Sequence, residues 1–160
     1  MCRLISGVAV LTGETVKVYT LPDSDSHSDI RSKFNIRDDD GAGNRQTPIE
    51  YIPVGPLDSF DEWKFLFDDE RPDWWTDDMT DQAIRQLISA FRDRHENWKF
   101  KGLLDLGGTQ ITALPDGLSV DGWLNLSGTQ ITALPDGLSV GGWLNLSGTQ
   151  ITALPDGLSE

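Results

Sequence analysis

A chain of 160 residues with 26 acids against 13 bases carries a formal charge of −13, and acids outnumber bases both before and after residue 100. A surface of that sign repels phosphate backbones, which argues against direct nucleic-acid binding, and it would attract a basic protein partner, although solubility alone also accounts for it. The single cysteine, Cys2, excludes an internal disulfide and suits a reducing, cytoplasmic setting, and no apolar run approaches a membrane span.

The first apolar runs, Leu4-Ile5 and Val8–Leu11, end at Gly13 and Glu14 without a small-residue cleavage site, so they read as strand and not signal peptide. Thr12–Thr15 is turn-like and Val16–Leu21 alternates, which predicts a hairpin with Val16 and Val18 on its inner face. Ser26 and Asp29 fit a capping box, so a short helix is expected through Ile30 and Phe34, with Asn35 ending it. Arg37–Gln46 has no apolar side chain larger than alanine and is predicted as an exposed loop.

Ile49–Val54 is a strand candidate that Pro53 pushes toward a sheet edge. Trp63, Phe65 and Phe67 alternate with Lys64, Leu66 and Asp68, which predicts a strand with one aromatic face. Thr76 can cap a final helix with Asp77 and Asp78 in its first turn. Met79, Ala83, Leu87, Phe91 and Trp98 mark its apolar face, and Arg92, Arg94, His95 and Lys99 put positive charge at its favourable end. The order β-β-α-β-β-α makes residues 1–100 a small α+β domain, whose last helix is expected to give its apolar face to the first repeat beyond it.

Residues 101–160 repeat with a period of twenty, from Leu104 to Leu124 to Leu144. In one unit, Leu124 and Leu126 alternate with Trp123, Asn125 and Ser127, a short strand with leucines inward. Ile131, Leu134, Leu138 and Val140 add apolar anchors, and Pro135 and Gly137 break any helix. A unit of this kind buries its apolar side only against copies of itself, which predicts three stacked coils leaning on the preceding domain.

The pattern WLNLSGTQITALPDGLSV resembles the shortest, twenty-residue leucine-rich repeat of bacterial effector proteins. Leu124 and Leu126 match its strand leucines, Ile131 the next aliphatic and Leu134-Pro135 the closing pair. Thr109, Thr129 and Thr149 stand where that family has asparagine. The resemblance implies a solenoid and says little about a partner. More loosely, DEWKFLFDDERPDWWT (Asp61–Thr76) together with the repeats is similar to small phage or prophage proteins. Some small acidic phage proteins inhibit host defence nucleases by occupying nucleic-acid sites, so this resemblance implies an inhibitor.

The outward columns of the repeat are Leu103/Trp123/Trp143, Asp105/Asn125/Asn145 and Gly107/Ser127/Ser147. Trp123 and Trp143, with Asn125 and Asn145 beside them, are candidate protein-binding residues, or a wall for a homodimer. Glu160, where Val120 and Val140 stand in the earlier units, marks an open end as a second self-association candidate.

Three carboxylate clusters are candidates for imitating phosphates in a basic groove: Asp38, Asp39 and Asp40; Asp68, Asp69 and Glu70; and Asp73, Asp77, Asp78 and Asp81. Solvated loops and helix caps account for them as well. Trp74 and Trp75 are either core anchors of the last helix or interface aromatics.

No catalytic constellation appears, and a small hydrolase is only a minor alternative. Asp23-x-Asp25-x-His27-x-Asp29 matches no standard metal loop, and Ser26 and Asp29 serve as a cap. No metal or cofactor is therefore expected, and weak metal binding would fall near Asp25 and His27. The resulting expectation is a non-enzymatic module, phage-encoded, that inhibits a basic nucleic-acid-handling host protein by mimicry or occlusion. A self-associating scaffold is the alternative.

Overall fold

The computed structural model describes residues 5–21, 26–36, 45–68, 70–152 and 154. Helices and strands are mixed, so the chain is α+β, and it divides into two compact units. One unit takes residues 1–52 and 65–94, the other 53–64 and 95–160. The single boundary expected near residue 100 is replaced by an exchange, because 53–64 leaves the first unit and joins the repeats.

In the first unit, β1 (Ile5–Thr12) and β2 (Thr15–Tyr19) form the expected hairpin, closed by Gly13 at a φ of +65°. After α1 (His27–Phe34), β3 (Gln46–Ile52) pairs antiparallel with β1. With β5 (Lys64–Phe67) the sheet order is β2-β1-β3-β5. β3 is therefore interior, not the edge strand expected from Pro53, which lies beyond its end. The proline it does contain, Pro48, sits where its carbonyl accepts from Asp68 N–H at 3.1 Å, one residue past β5. In an extended strand a residue's N and O face the same neighbour, so the missing N–H falls where the neighbouring strand has just ended.

Both helices start as predicted. Ser26 Oγ accepts from Asp29 N–H at 3.3 Å, and Asn35 ends α1 in the left-handed region. Thr76 Oγ1 accepts from Met79 N–H at 3.3 Å at the start of α2 (Asp77–Arg94). The apolar face Met79, Ala83, Leu87 and Phe91 is buried, and α2 lies over β1 and β2 of its own unit. Trp98, expected on that face, lies past the helix end in the second unit and stacks on Phe60 at 6.0 Å.

Two glutamines of α2 close the sheet edge. Gln82 Oε1 accepts from Val16 N–H at 3.0 Å, Gln86 Oε1 accepts from Val18 N–H at 2.8 Å, and Gln86 Nε2 donates to Val16 O at 2.8 Å. Four helical residues rise about 6 Å and two strand residues about 6.7 Å, so the spacings nearly match. An exposed edge strand pairs readily with other chains, and this one is covered.

In the second unit, β7 (Leu104–Asp105), β10 (Leu124–Asn125) and β12 (Leu144–Asn145) pair in parallel, one period apart. β6 (Lys99–Phe100), β9 (Ser119–Val120) and β11 (Ser139–Val140) do the same, so the period-twenty register begins at Lys99. β4 (Val54–Pro56) pairs in parallel with β8 (Gln110–Ala113), and Leu57 N–H donates to Ala113 O at 2.9 Å. The non-repeating 53–64 segment is thereby stitched to the first repeat, with Leu57, Phe60 and Trp63 buried. Trp63 belongs here and not to the aromatic face of β5.

Leu104, Leu106, Ile111, Leu118 and Val120 and their second-unit equivalents Leu124, Leu126, Ile131, Leu138 and Val140 are buried. Their third-unit counterparts Leu144, Leu146 and Ile151 are only half-buried. Backbones approach so closely at Gly122 that an added Cβ would lie 2.7 Å from the Gly102 carbonyl. Gly122→Ala should therefore destabilise the chain by about 1–3 kcal/mol, measured as a lower midpoint in urea.

Candidate functional site

Strand alternation in β7, β10 and β12 sends the leucines inward and the preceding residues outward. Leu103, Trp123 and Trp143 are accordingly 57%, 52% and 72% exposed. The two indole rings lie 4.7 Å apart at an interplanar angle of 4°. That separation equals the spacing of hydrogen-bonded strands, so the ladder itself sets the stack, and near-parallel rings at this distance are offset. The rings stack on one another, and both remain more than half exposed.

The adjoining column has a different task. Asp105 Oδ1 accepts from Gly107 N–H, and Asn125 Oδ1 and Asn145 Oδ1 accept from Ser127 and Ser147 N–H, all at 3.0 Å. Asn125 Nδ2 also donates to Asp105 Oδ1 at 2.9 Å. Asn125 and Asn145, expected as binding residues, thus hold the turn after each strand. The threonines close the same turns: Thr109, Thr129 and Thr149 donate to the carbonyls of Leu106, Leu126 and Leu146 at 2.6, 2.7 and 2.7 Å.

Of the three acidic clusters, Asp68, Glu70, Asp73, Asp77, Asp78 and Asp81 lie among the described residues. Asp38, Asp39, Asp40 and Asp69, like Asp25 and Glu160, lie outside the described residues. Asp77 pairs with Arg71 at 3.1 Å, and Asp78 accepts from Gln82 at 2.7 Å. Glu70, Asp73 and Asp81 are exposed. Trp75 is a core residue and leaves the set of binding candidates: it is 4% exposed, packs against Phe65 and Phe67, and its Nε1 donates to Thr80 Oγ1 at 2.8 Å. Trp74 is half-buried against it, at 5.7 Å.

Asp68 turns instead to His27, whose ring belongs to the first residue of α1. His27 Nε2 is 3.2 Å from the carbonyl oxygen of Ile49, and Nδ1 is 3.3 Å from Asp68 Oδ2. Glu50, in the middle of β3 and 5% exposed, completes a group whose potential ligand atoms lie within 4.8 Å of one another. Sequence reasoning seeks the partners of His27 nearby, at Asp25, and misses both. The one signal available is a carboxylate inside the apolar run Ile49–Val54, because a charge at a buried strand position needs a compensating group.

Among the described residues no helix is long and apolar enough to cross a membrane. No family model, curated protein or solved structure matches the chain.

Proposed function

We propose that the chain is an acidic protein-binding module that docks a basic protein surface through Leu103, Trp123 and Trp143. The observation carrying this reading is that three large apolar side chains stand exposed at the position just before three registered strands. An apolar patch of this kind marks an interaction surface, and tryptophan is enriched among residues that dominate binding energy. The charge of −13 steers encounter toward a basic partner.

In its most concrete form the module is a phage-encoded inhibitor that occludes the nucleic-acid site of a host nuclease in the host cytoplasm. Asp68 faces His27, Asp77 pairs with Arg71 and Asp78 is bonded to Gln82, which favours occlusion over phosphate-by-phosphate imitation. Residues 101–160 serve as a short leucine-rich-repeat-like solenoid of three coils, a reading supported by the parallel period-twenty register. Trp143→Ala should weaken the complex with the purified partner by at least about 2 kcal/mol, roughly thirtyfold in Kd. Titration calorimetry reads that change, and an unchanged Kd would remove the tryptophan column from the interface.

One observation favours a second reading, a homodimer. The stacked Trp123 and Trp143 are 52% and 72% exposed, and such a pair also suits a second copy of the chain. Sedimentation velocity across a concentration series separates the two. The first reading expects a monomer, and a dimer abolished by Trp143→Ala would give the column to a second copy of the chain.

A further inference from the structure

The geometry points to a divalent-cation site of the zinc class at His27, Glu50 and Asp68. The three come from separate elements: the start of α1, the interior of β3 and the residue after β5. The site is independent of the tryptophan column and of the partner proposed for it.

The tautomer supplies the first argument. The Ile49 carbonyl can only accept, so the 3.2 Å contact makes His27 Nε2 the donor. In a neutral ring the Nδ1 lone pair then faces Asp68 Oδ2 at 3.3 Å. Two lone pairs at that distance repel unless positive charge lies between them. A histidine that donates one N–H to a backbone carbonyl and aims the other nitrogen at a carboxylate has the arrangement of metal-ligating histidines.

Charge supplies the second argument. Glu50 is 5% exposed, and placing its carboxylate beside that of Asp68 is unfavourable in a low-dielectric setting. A divalent cation offers the two carboxylates one shared counter-charge. A tetrahedral ion with bonds of about 2.1 Å needs ligand atoms about 3.4 Å apart. The His27–Asp68 pair already meets that spacing, and one ligand atom from each of the three residues lies within 4.8 Å of the others. One imidazole with two carboxylates selects zinc-like ions over magnesium or calcium. The Asp68 side chain is 42% exposed, which gives an ion access from solvent and leaves room for a water ligand.

The test uses the full chain after chelator treatment, titrated with ZnCl2 by calorimetry and followed by thermal melts, with MgCl2 in parallel. One saturable Zn2+ site is expected, with a melting temperature that rises with Zn2+ and is unmoved by Mg2+ at the same concentration. Asp68→Asn and the isosteric Glu50→Gln should each weaken binding by at least about tenfold. Asp93→Asn, an exposed acid outside the cluster, should leave it unchanged. Asp68 lies in a solvent-facing turn, so its variant is expected to fold, and circular dichroism checks this. No saturable Zn2+ binding, equal responses to Zn2+ and Mg2+, or equal Zn2+ binding by Asp68→Asn and Asp93→Asn would each overturn the site.

Discussion

Alanine at Trp75 should destabilise the chain by about 3–5 kcal/mol, the range for removing a buried aromatic ring. Three contributions add in the same direction. The ring fills the space against Phe65 at 5.8 Å and Phe67 at 5.0 Å, and deletion leaves a cavity between elements that cannot fully collapse. Its indole N–H donates to Thr80 Oγ1 at 2.8 Å, so the hydroxyl loses a partner as well. Those contacts also bind the segment before α2 to β5. Trp75→Phe separates the contributions, since it keeps most of the volume and removes the hydrogen bond. Urea unfolding followed by circular dichroism reads both. Trp143→Ala is the matched control: the ring is 72% exposed, so the isolated chain should lose no more than about 1.5 kcal/mol, the upper value of its stack on Trp123.

Leu126→Ala should be nearly as damaging, at about 2–5 kcal/mol. Leu126 is fully buried in the middle repeat, between the fully buried Leu106 of one neighbour and Leu146 of the other. The identical sequence position in the third repeat gives a built-in comparison. Leu146 is only half-buried, so Leu146→Ala removes less contact area and leaves a smaller void. The two variants should differ in urea midpoint, with Leu126→Ala the lower. Equal midpoints would mean that the repeats do not share one continuous core.

The legible parts of this fold are those in which sequence-local physics decides the outcome. The Ser26 and Thr76 caps, the inward leucines and the outward tryptophans each come from a spacing of two to four residues or from a period repeated three times. Pairing between distant segments sets the parts that escape. Nothing in the string VGPLDSFDEW announces that Val54–Pro56 pairs with Gln110–Ala113, because short strands carry no partner label. Gln82 and Gln86 have the spacing of an ordinary polar helix face, and only the tertiary structure brings them to the edge of β2.

The candidate sites divide the same way. The exposed column is readable because the repeat supplies its own register, whereas sequence alone cannot divide the adjacent Trp74 and Trp75 between core and interface. Burial separates them: Trp75 is inside and Trp74 half-covered. Asn125 reads as a binding residue because its outward column position looks free, yet Asx turns use side chains of this kind to satisfy backbone N–H groups. His27, Glu50 and Asp68 are 23 and 18 residues apart, so no local motif connects them.

The central claim is that the apolar column on an acidic chain is a docking surface for a basic protein. Its most direct test is parallel affinity capture from bacterial lysate with the wild-type chain and the Trp123→Ala/Trp143→Ala double variant, each at low and high salt, quantified by mass spectrometry. The account predicts a basic protein held by the wild type at low salt, depleted at high salt and lost from the double variant. An identical set of proteins retained by both baits at both salt levels would contradict it.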